Sequence, residues 1–300
     1  MSATIPSIEV AAVTPSVDSG AAEKKRLGIG FWICVGWLVL IVLLAILAPY
    51  LPIKDPTKNF TGKGNVGPTK PPSATHWFGT DKDARDVFAR TIYGGRVSLT
   101  IGFVAIVFGM IVGGSMGIIA GYFRGWLDRI ISFIFIVLLS FPALVLAIML
   151  TALLERTLVT ISLILGVLAI SPVGLLARAT TLQYSDREFV MAARSLGAKD
   201  RRIIVRELLP NVLIPMASLG LLGMAVAVVA EGGLAFLGLS VAKGITWGGM
   251  IQLGSESSRT LERAPWIAFF TIAVLFATVL ALNFAGDRLR SFLDIKEAAL

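Results

Sequence analysis

Long apolar runs recur along the chain, separated by shorter polar segments. Each run is long enough to cross about 30 Å of hydrocarbon as a helix, which takes about 20 predominantly apolar residues. Six such runs lie between Arg26 and Lys54, Arg96 and Arg124, Arg129 and Glu155, Arg156 and Arg178, Glu207 and Glu231, and Arg263 and Asp287. The pattern predicts an all-α integral membrane protein with six transmembrane helices.

The polar segments divide the chain into predicted regions. These are a disordered cytoplasmic tail at 1–26, a first transmembrane helix at 27–51, an extracytoplasmic loop at 52–96, a five-helix core at 97–284 and a cytoplasmic tail at 285–300. Lys24, Lys25 and Arg26 precede the first span, and positive residues favour the cytoplasmic side. Because six spans return the chain to the same side, we expect both termini to be cytoplasmic.

Composition supports a membrane protein, and the placement of its charge indicates which partners it contacts. Of the 300 residues, 56% are hydrophobic and only 15% are charged, which is outside the usual range of soluble domains. The formal net charge is +8, and much of it lies in segments predicted to be cytoplasmic, such as 178–206. This placement indicates membrane topology and contact with the lipid bilayer rather than nucleic acid binding.

A polar segment at 185–197 has the pattern of a short amphipathic helix. Ser185 is a candidate N-cap, and Glu188 completes a capping box. Gly197 stands where a helix end needs a residue that tolerates left-handed backbone. The helix also carries Arg194, and its predicted apolar face consists of Phe189, Ala192, Ala193 and Leu196. Such a face suits docking to a partner; the alternative is a helix lying on the lipid surface.

The second predicted span carries a stripe of small residues. Gly109, Gly113, Gly117 and Gly121 follow one another at intervals of about one turn. Such a stripe lets another helix approach to backbone contact. The neighbour is either another span of the same chain or a second subunit.

The third and fourth predicted spans each contain a proline near mid-membrane, Pro142 and Pro172. Proline removes a backbone hydrogen bond and clashes with the preceding turn, so we expect both helices to bend. The bends are candidates for the walls of a transport pathway, and fixed bends are the alternative.

Residues that carry chemistry are scarce. The chain has one histidine and one cysteine and contains no Walker A loop, so we expect no metal site and no cofactor bound by this chain. No paired carboxylates suggest an active site, which argues against an intramembrane enzyme. Ionisable residues are absent from the middle of the spans, which argues against an ion-coupled secondary transporter.

Four motifs together resemble one family, the membrane-spanning permeases of bacterial ABC importers in the dipeptide, oligopeptide and nickel branch. In the cytoplasmic motif Ala192, Ala193, Gly197, Leu209 and Pro210 match, whereas Met191 and Glu207 replace the usual glutamate and isoleucine. Three further stretches are similar to that branch: 76–87 with Ala84 in place of the usual glycine, 234–251, and 286–290.

The resemblance implies a type I ABC importer transmembrane domain in the bacterial cytoplasmic (inner) membrane. It also implies a second homologous permease, two cytoplasmic ATPase subunits or domains that use ATP and Mg²⁺, and an external substrate-binding protein. Residues 185–197 would form the coupling helix that docks on an ATPase. The expected substrate is a short peptide; nickel or another small solute is the alternative within the same architecture.

Overall fold

The computed structural model describes residues 28–62 and 67–298, with the backbone alone described over 293–298. The tail predicted at 1–26 lies outside these residues. The helices, in chain order, are α1 (Gly28–Leu47), α2 (Val87–Phe123), α3 (Gly125–Ser140), α4 (Ala143–Leu153), α5 (Leu158–Ser185), α6 (Glu188–Ser195), α7 (Asp200–Arg202), a π-helical turn (Ile203–Leu208), α8 (Leu209–Phe236), α9 (Trp247–Ser255), α10 (Ser258–Arg263) and α11 (Trp266–Ala298). The predicted C-terminal tail at 285–300 is therefore largely a continuation of α11.

Among the described residues, five helices are long and apolar enough to cross a membrane: α1, α2, α5, the continuous helix Asp200–Phe236, and the segment Trp266–Phe292 of α11. The third predicted span is the exception. It is divided into α3 and α4, which meet at an angle of 83°. Counting this bent pair as one span gives six, as the sequence predicted.

Pro142 accounts for the break between α3 and α4. The residue before it, Phe141, is extended with φ −86° and ψ 130°. A proline ring disfavours helical backbone at the preceding residue, so the helix ends there. The predicted kink at Pro142 is thus a complete interruption. In contrast, α5 continues as one helix through Pro172.

The glycine stripe of α2 lies along α5 of the same chain, which corresponds to the internal alternative. A methyl group at Gly113 would lie 2.9 Å from the carbonyl carbon of Ile170. One at Gly121 would lie 2.8 Å from the carbonyl oxygen of Arg178. Only glycine therefore lets the two backbones approach this closely. Gly109 and Gly117 meet α5 in the same way.

The end of α2 that carries Val87, with the segments around it, is called here the loop end; the opposite end, near α6, is the α6 end. At the loop end Asp86 caps α2, accepting a hydrogen bond from the Ala89 amide at 2.8 Å. Its second carboxylate oxygen lies 2.7 Å from His76 Nδ1. Because of this cap, α2 begins within the segment predicted as the 52–96 loop.

Ala84 adopts a positive φ of 55°. This is backbone that glycine adopts without a steric cost. Nearby Asp81 accepts hydrogen bonds from the amides of Asp83 and Arg85, at 2.9 and 2.8 Å. The segment 81–85 thus forms a tight turn that leads into the Asp86 cap.

A buried polar network joins α2, α8 and α9 at the loop end. The Ser98 hydroxyl donates to Glu231 at 3.2 Å and accepts from the Trp247 amide at 3.0 Å. Ser240 donates to the other carboxylate oxygen of Glu231 at 3.0 Å. Glu231 and Trp247 are both fully buried. The sequence placed Glu231 near a span end but did not indicate this network, since Ser98 is distant along the chain from both Glu231 and Trp247.

Candidate partner-docking site at the α6 end

The N-terminus of α6 differs from the prediction. The helix begins at Glu188, and its N-cap is Arg187, whose side chain makes no capping hydrogen bond. Ser185 is instead the last residue of α5, and its hydroxyl donates to the Leu182 carbonyl at 3.2 Å. The predicted capping box was therefore wrong, because α5 continues far enough to include the residue assigned as the cap.

The C-terminus of α6 follows the prediction. Gly197 has φ +75°, in the left-handed region. Its amide donates to the Arg194 carbonyl at 3.0 Å, and the Ala198 amide donates to the Ala193 carbonyl at 3.0 Å. This pair of bonds is a Schellman motif, which satisfies carbonyl groups at a helix end. The predicted helix end at Gly197 is confirmed.

The apolar residues of α6 divide between two surfaces. Val190, which the sequence pattern does not assign to the predicted face, is fully buried in a cluster with residues of α2, α5 and α8. Ala193 is partly buried against the same cluster. Phe189 and Leu196 are 38% and 87% exposed, and Ala192 is exposed as well. Of the four residues predicted to form one face, Phe189, Ala192 and Leu196 form the outer surface of α6. Ala193 instead packs toward the body of the chain.

Polar contacts fix α6 and the start of α7 to the end of α2. The Tyr122 hydroxyl donates to Asp200 at 2.6 Å. The guanidinium of Arg194 lies 5.6 Å from the centre of the Tyr122 ring. Arg124 donates to Asp186, in the link between α5 and α6, at 2.7 Å. These partners are far apart in sequence, so residue spacing could not reveal them.

A cavity of about 200 Å³ lies between α5 and α8 toward the α6 end. Pro172 of α5 and Pro215 of α8 both line it, together with Arg290 of α11. Pro142 is not among its lining residues and lies at the α3–α4 break instead. Of the two prolines predicted to bend their helices, Pro172 therefore lines this cavity and Pro142 does not.

The part of the chain that the structure describes, 28–62 and 67–298, contains no group of three or more His, Cys, Asp or Glu residues placed to hold a metal ion. What the α6 end offers is an apolar surface next to basic side chains. Such a surface suits protein contact rather than bond-making chemistry.

Comparison with known proteins agrees with this architecture. The family described as "Binding-protein-dependent transport system inner membrane component" matches residues 113–296. The chain belongs to this family. The match includes α6, the 83° break, and Gly113, Gly117 and Gly121 of the α2–α5 contact.

Two relatives and one solved structure are similar to this chain over most of its length. It is 36% identical to the dipeptide transport system permease protein DppC of Alkalihalophilus pseudofirmus, over 91% of this chain and 87% of the relative. It is 33% identical to the glutathione transport system permease protein GsiD of Pectobacterium atrosepticum, over 87% and 85%. The inward-facing MetNI methionine ABC transporter shares the fold, with a TM-score of 0.56 and 20% identity over 68% of this chain and 96% of that one.

The chain is therefore a multi-pass membrane permease of the ABC importer class with the type I transmembrane fold. Its family is one of transport components, which does not favour the intramembrane enzyme or the ion-coupled secondary transporter.

Proposed function

We propose that this permease pairs with a second, homologous permease in the bacterial cytoplasmic membrane to form a pathway for short peptides. An external binding protein delivers the peptide, and two cytoplasmic ATPase subunits or domains supply the energy. ATP and Mg²⁺ bind to those ATPases and not to this chain. The names of two relatives, one for dipeptides and one for the tripeptide glutathione, support a peptide substrate.

The observation that carries the proposal is the two-sided construction of α6. Val190 holds the helix to the body of the permease, whereas Phe189, Ala192 and Leu196 face outward. Monomeric proteins seldom leave large apolar side chains together on a short polar helix without a partner for them. We assign this outer surface to the ATPase.

The outer surface of α6 is small, which suits a contact that transmits motion from the ATPase to the permease. Covering Leu196, which is 87% exposed, contributes about 1.5–3 kcal/mol before the costs of association, and Phe189, which is 38% exposed, contributes less. Ala192 adds little energy but lets a partner backbone approach. Force applied to α6 passes through the Tyr122–Asp200 contact into α2, which packs along α5.

The test uses proteoliposomes that contain this permease, its companion permease, the ATPases and the binding protein. Peptide together with binding protein should stimulate ATP hydrolysis severalfold. The variant Ala192→Arg, which places a long charged side chain on the outer surface, should abolish the stimulation. Ala192→Ser is the matched control and should retain it, because it changes little in volume.

Two results would contradict parts of the proposal. Full stimulation with Ala192→Arg would remove α6 from the ATPase contact. An active complex that ignores peptides but responds to nickel or another solute would retain the architecture and change the substrate. Ala193 is a poorer position for this test than Ala192. Because Ala193 is partly buried within the chain, its substitution would disturb local folding as well as docking.

A further inference from the structure

Arg124 is the single residue between α2 and α3, and together with Gly125, the first residue of α3, it is called here the elbow. Both residues have a positive φ, of 54° and 63°. Glycine adopts such backbone freely, but Arg124 combines its φ with a ψ of −161°, a region that is nearly closed to residues with a side chain. The elbow therefore contains a strained residue, and such residues persist only where surrounding contacts hold them.

The side chain of Arg124 contacts the link between α5 and α6. Its Nη2 atom donates to Asp186 at 2.7 Å and to the Ser185 hydroxyl oxygen at 3.3 Å. Asp186 lies two residues before the start of α6. Ser185, predicted as the cap of α6, thus accepts a hydrogen bond from the elbow instead. The elbow is tied to the segment that carries the helix assigned above to the ATPase contact.

Backbone strain and side-chain contacts act on Arg124 in opposite directions. The strain favours a different elbow conformation, whereas the contacts with Ser185 and Asp186 favour the observed one. The side chains of Arg124 and Asp186 are 46% and 70% exposed. Exposed ion pairs are weak, so a displacement of the α5–α6 link opens this one at little cost. A strained residue held by a weak contact has the properties of a two-state element.

The helix that a change at the elbow would move is α3. Asp128, one turn into α3, pairs with Arg178 of α5, whose Nη2 atom donates to it at 2.7 Å. Farther along α3, the ring of Phe135 lies against Gly174 of α5. Phe135 is the single fully buried residue of α3, and the others are exposed or half-buried. The body of the chain therefore holds α3 near its start and at one further point.

We propose that Arg124 is a positioning residue for coupling, which holds the elbow in its strained form through Asp186 until movement of the α5–α6 link releases it and α3 turns. The inference rests on the proposed function, which supplies the ATPase that moves α6. It adds a second connection to the one from Asp200 through Tyr122, and this connection leads to α3 and the 83° break rather than into α2.

The length of α3 amplifies a small change at the elbow. Its 16 residues reach about 24 Å at about 1.5 Å per residue. A rotation of about 10° at the elbow therefore moves the far end of α3 by about 4 Å. The Asp128–Arg178 pair lies close to the pivot, where the displacement is smallest, and does not have to break.

The first test measures coupling in the complete importer in lipid nanodiscs. Asp186→Asn and Arg124→Ala should each lower peptide-stimulated ATP hydrolysis about fivefold. The melting temperature should not fall, because an exposed ion pair contributes little to stability. The double variant should lose no more than either single variant, since both changes remove the same contact.

The second test measures the elbow itself, which a merely structural contact would not move. Spin labels on cysteines at Phe103 of α2 and Leu139 of α3, both exposed, report the distance between the two helices by pulsed electron paramagnetic resonance. The background carries Cys34→Ser and cysteine-free partner subunits. The wild-type distance should differ by about 4 Å between the nucleotide-free complex and the complex trapped with ATP and vanadate. An unchanged wild-type distance would overturn the inference.

Two substitutions of Arg124 separate the ion pair from the strain. Arg124→Ala keeps the strain and removes the pair, so it should show one of the two wild-type distances in both nucleotide states. Arg124→Gly also removes the strain, so it should populate both distances in each state. Identical distances in the Ala and Gly variants would show that strain does not drive the change and would contradict the hinge.

Arg129→Ala is the matched control. Arg129 is an exposed residue of α3 and forms no ion pair with the side chains that the structure describes. The variant should keep stimulation within about twofold of wild type and keep both distances. An equal loss with Arg129→Ala would indicate a general effect of positive charge at this end of the spans and would overturn the assignment of Arg124.

Wild-type stimulation separates this inference from the proposed function. Absence of peptide-stimulated ATP hydrolysis in the wild-type complex contradicts the proposed function. Normal stimulation in wild type, Asp186→Asn and Arg124→Ala alike contradicts this inference alone.

Discussion

Small residues occur both in the α2–α5 contact and on the outer surface of α6, but they have different surroundings in the two places. In the first, Gly113 and Gly117 lie against the backbone of α5 in the same chain. In the second, Ala192 is exposed and nothing lies within 4 Å of a methyl group placed on Gly197. A small residue therefore indicates that some backbone approaches closely, but the structure is needed to identify whose backbone it is.

The α2–α5 contact holds the permease together, whereas the outer surface of α6 is the part that we propose docks on another chain. Substitutions in the α2–α5 contact should affect folding before they affect transport. Substitutions on the outer surface of α6 should affect coupling and leave folding intact.

The largest effect is expected from Gly113→Val combined with Gly117→Val. Each added side chain would overlap with α5 backbone, and overpacking costs about 1–3 kcal/mol or more per site. We expect loss of monodisperse protein after solubilisation, measured by size-exclusion chromatography. Gly36→Val is the control, because nothing lies within 4 Å of a methyl group at Gly36 in α1. Equal yields from both variants would contradict the close contact.

Leu196→Asp should reduce peptide-stimulated ATP hydrolysis at least tenfold without changing the melting temperature. Leu196 is 87% exposed, so the fold does not depend on it, but a charge there would have to be desolvated on docking. Parallel measurements of ATP hydrolysis and thermal unfolding test this. The conservative Leu196→Met should remain active. A lower melting temperature with normal stimulation would show that Leu196 contributes to the stability of the fold and not to docking.

A smaller effect is expected from Gly197→Ala. The positive φ of 75° costs an L-residue about 1–2 kcal/mol, although no atom would clash with the new methyl group. The last turn of α6 should fray and coupling should fall a few fold. Gly197→Asn should recover much of the activity, because asparagine tolerates left-handed backbone. Equal activity of the Ala and Asn variants would exclude backbone strain as the cause.

The smallest effect is expected from Tyr122→Phe. This change removes the 2.6 Å hydrogen bond to Asp200 but keeps the ring beside Arg194. The net loss for one such bond is about 0.5–1.5 kcal/mol. Hydrogen exchange of the 186–200 backbone should increase, while exchange in α5 should not. Unchanged exchange in 186–200 would show that the Tyr122–Asp200 hydrogen bond does not hold this segment in place.

The sequence predicted the features that depend on local pattern. Apolar run length gave the helices that could span the membrane, and glycine after a short amphipathic run gave the end of α6. It did not predict the start of α6, because whether Ser185 caps one helix or ends another depends on how far α5 continues. Val190, Tyr122 and Asp200 were also missed, since their contacts join residues distant along the chain.

The break at Pro142 has a consequence for how the permease is made. At about 1.5 Å per residue, the 16 residues of α3 and the 11 of α4 reach roughly 24 and 17 Å, so neither helix alone crosses the bilayer. Phe141 and Pro142 at the break are exposed in the single chain. Lipid tails offer no hydrogen bonds, so non-helical backbone at that depth must be covered by protein or water. Under the proposed function, a newly inserted copy therefore carries an exposed break that the companion permease or a water-filled cavity must cover, and its stability in the membrane depends on assembly.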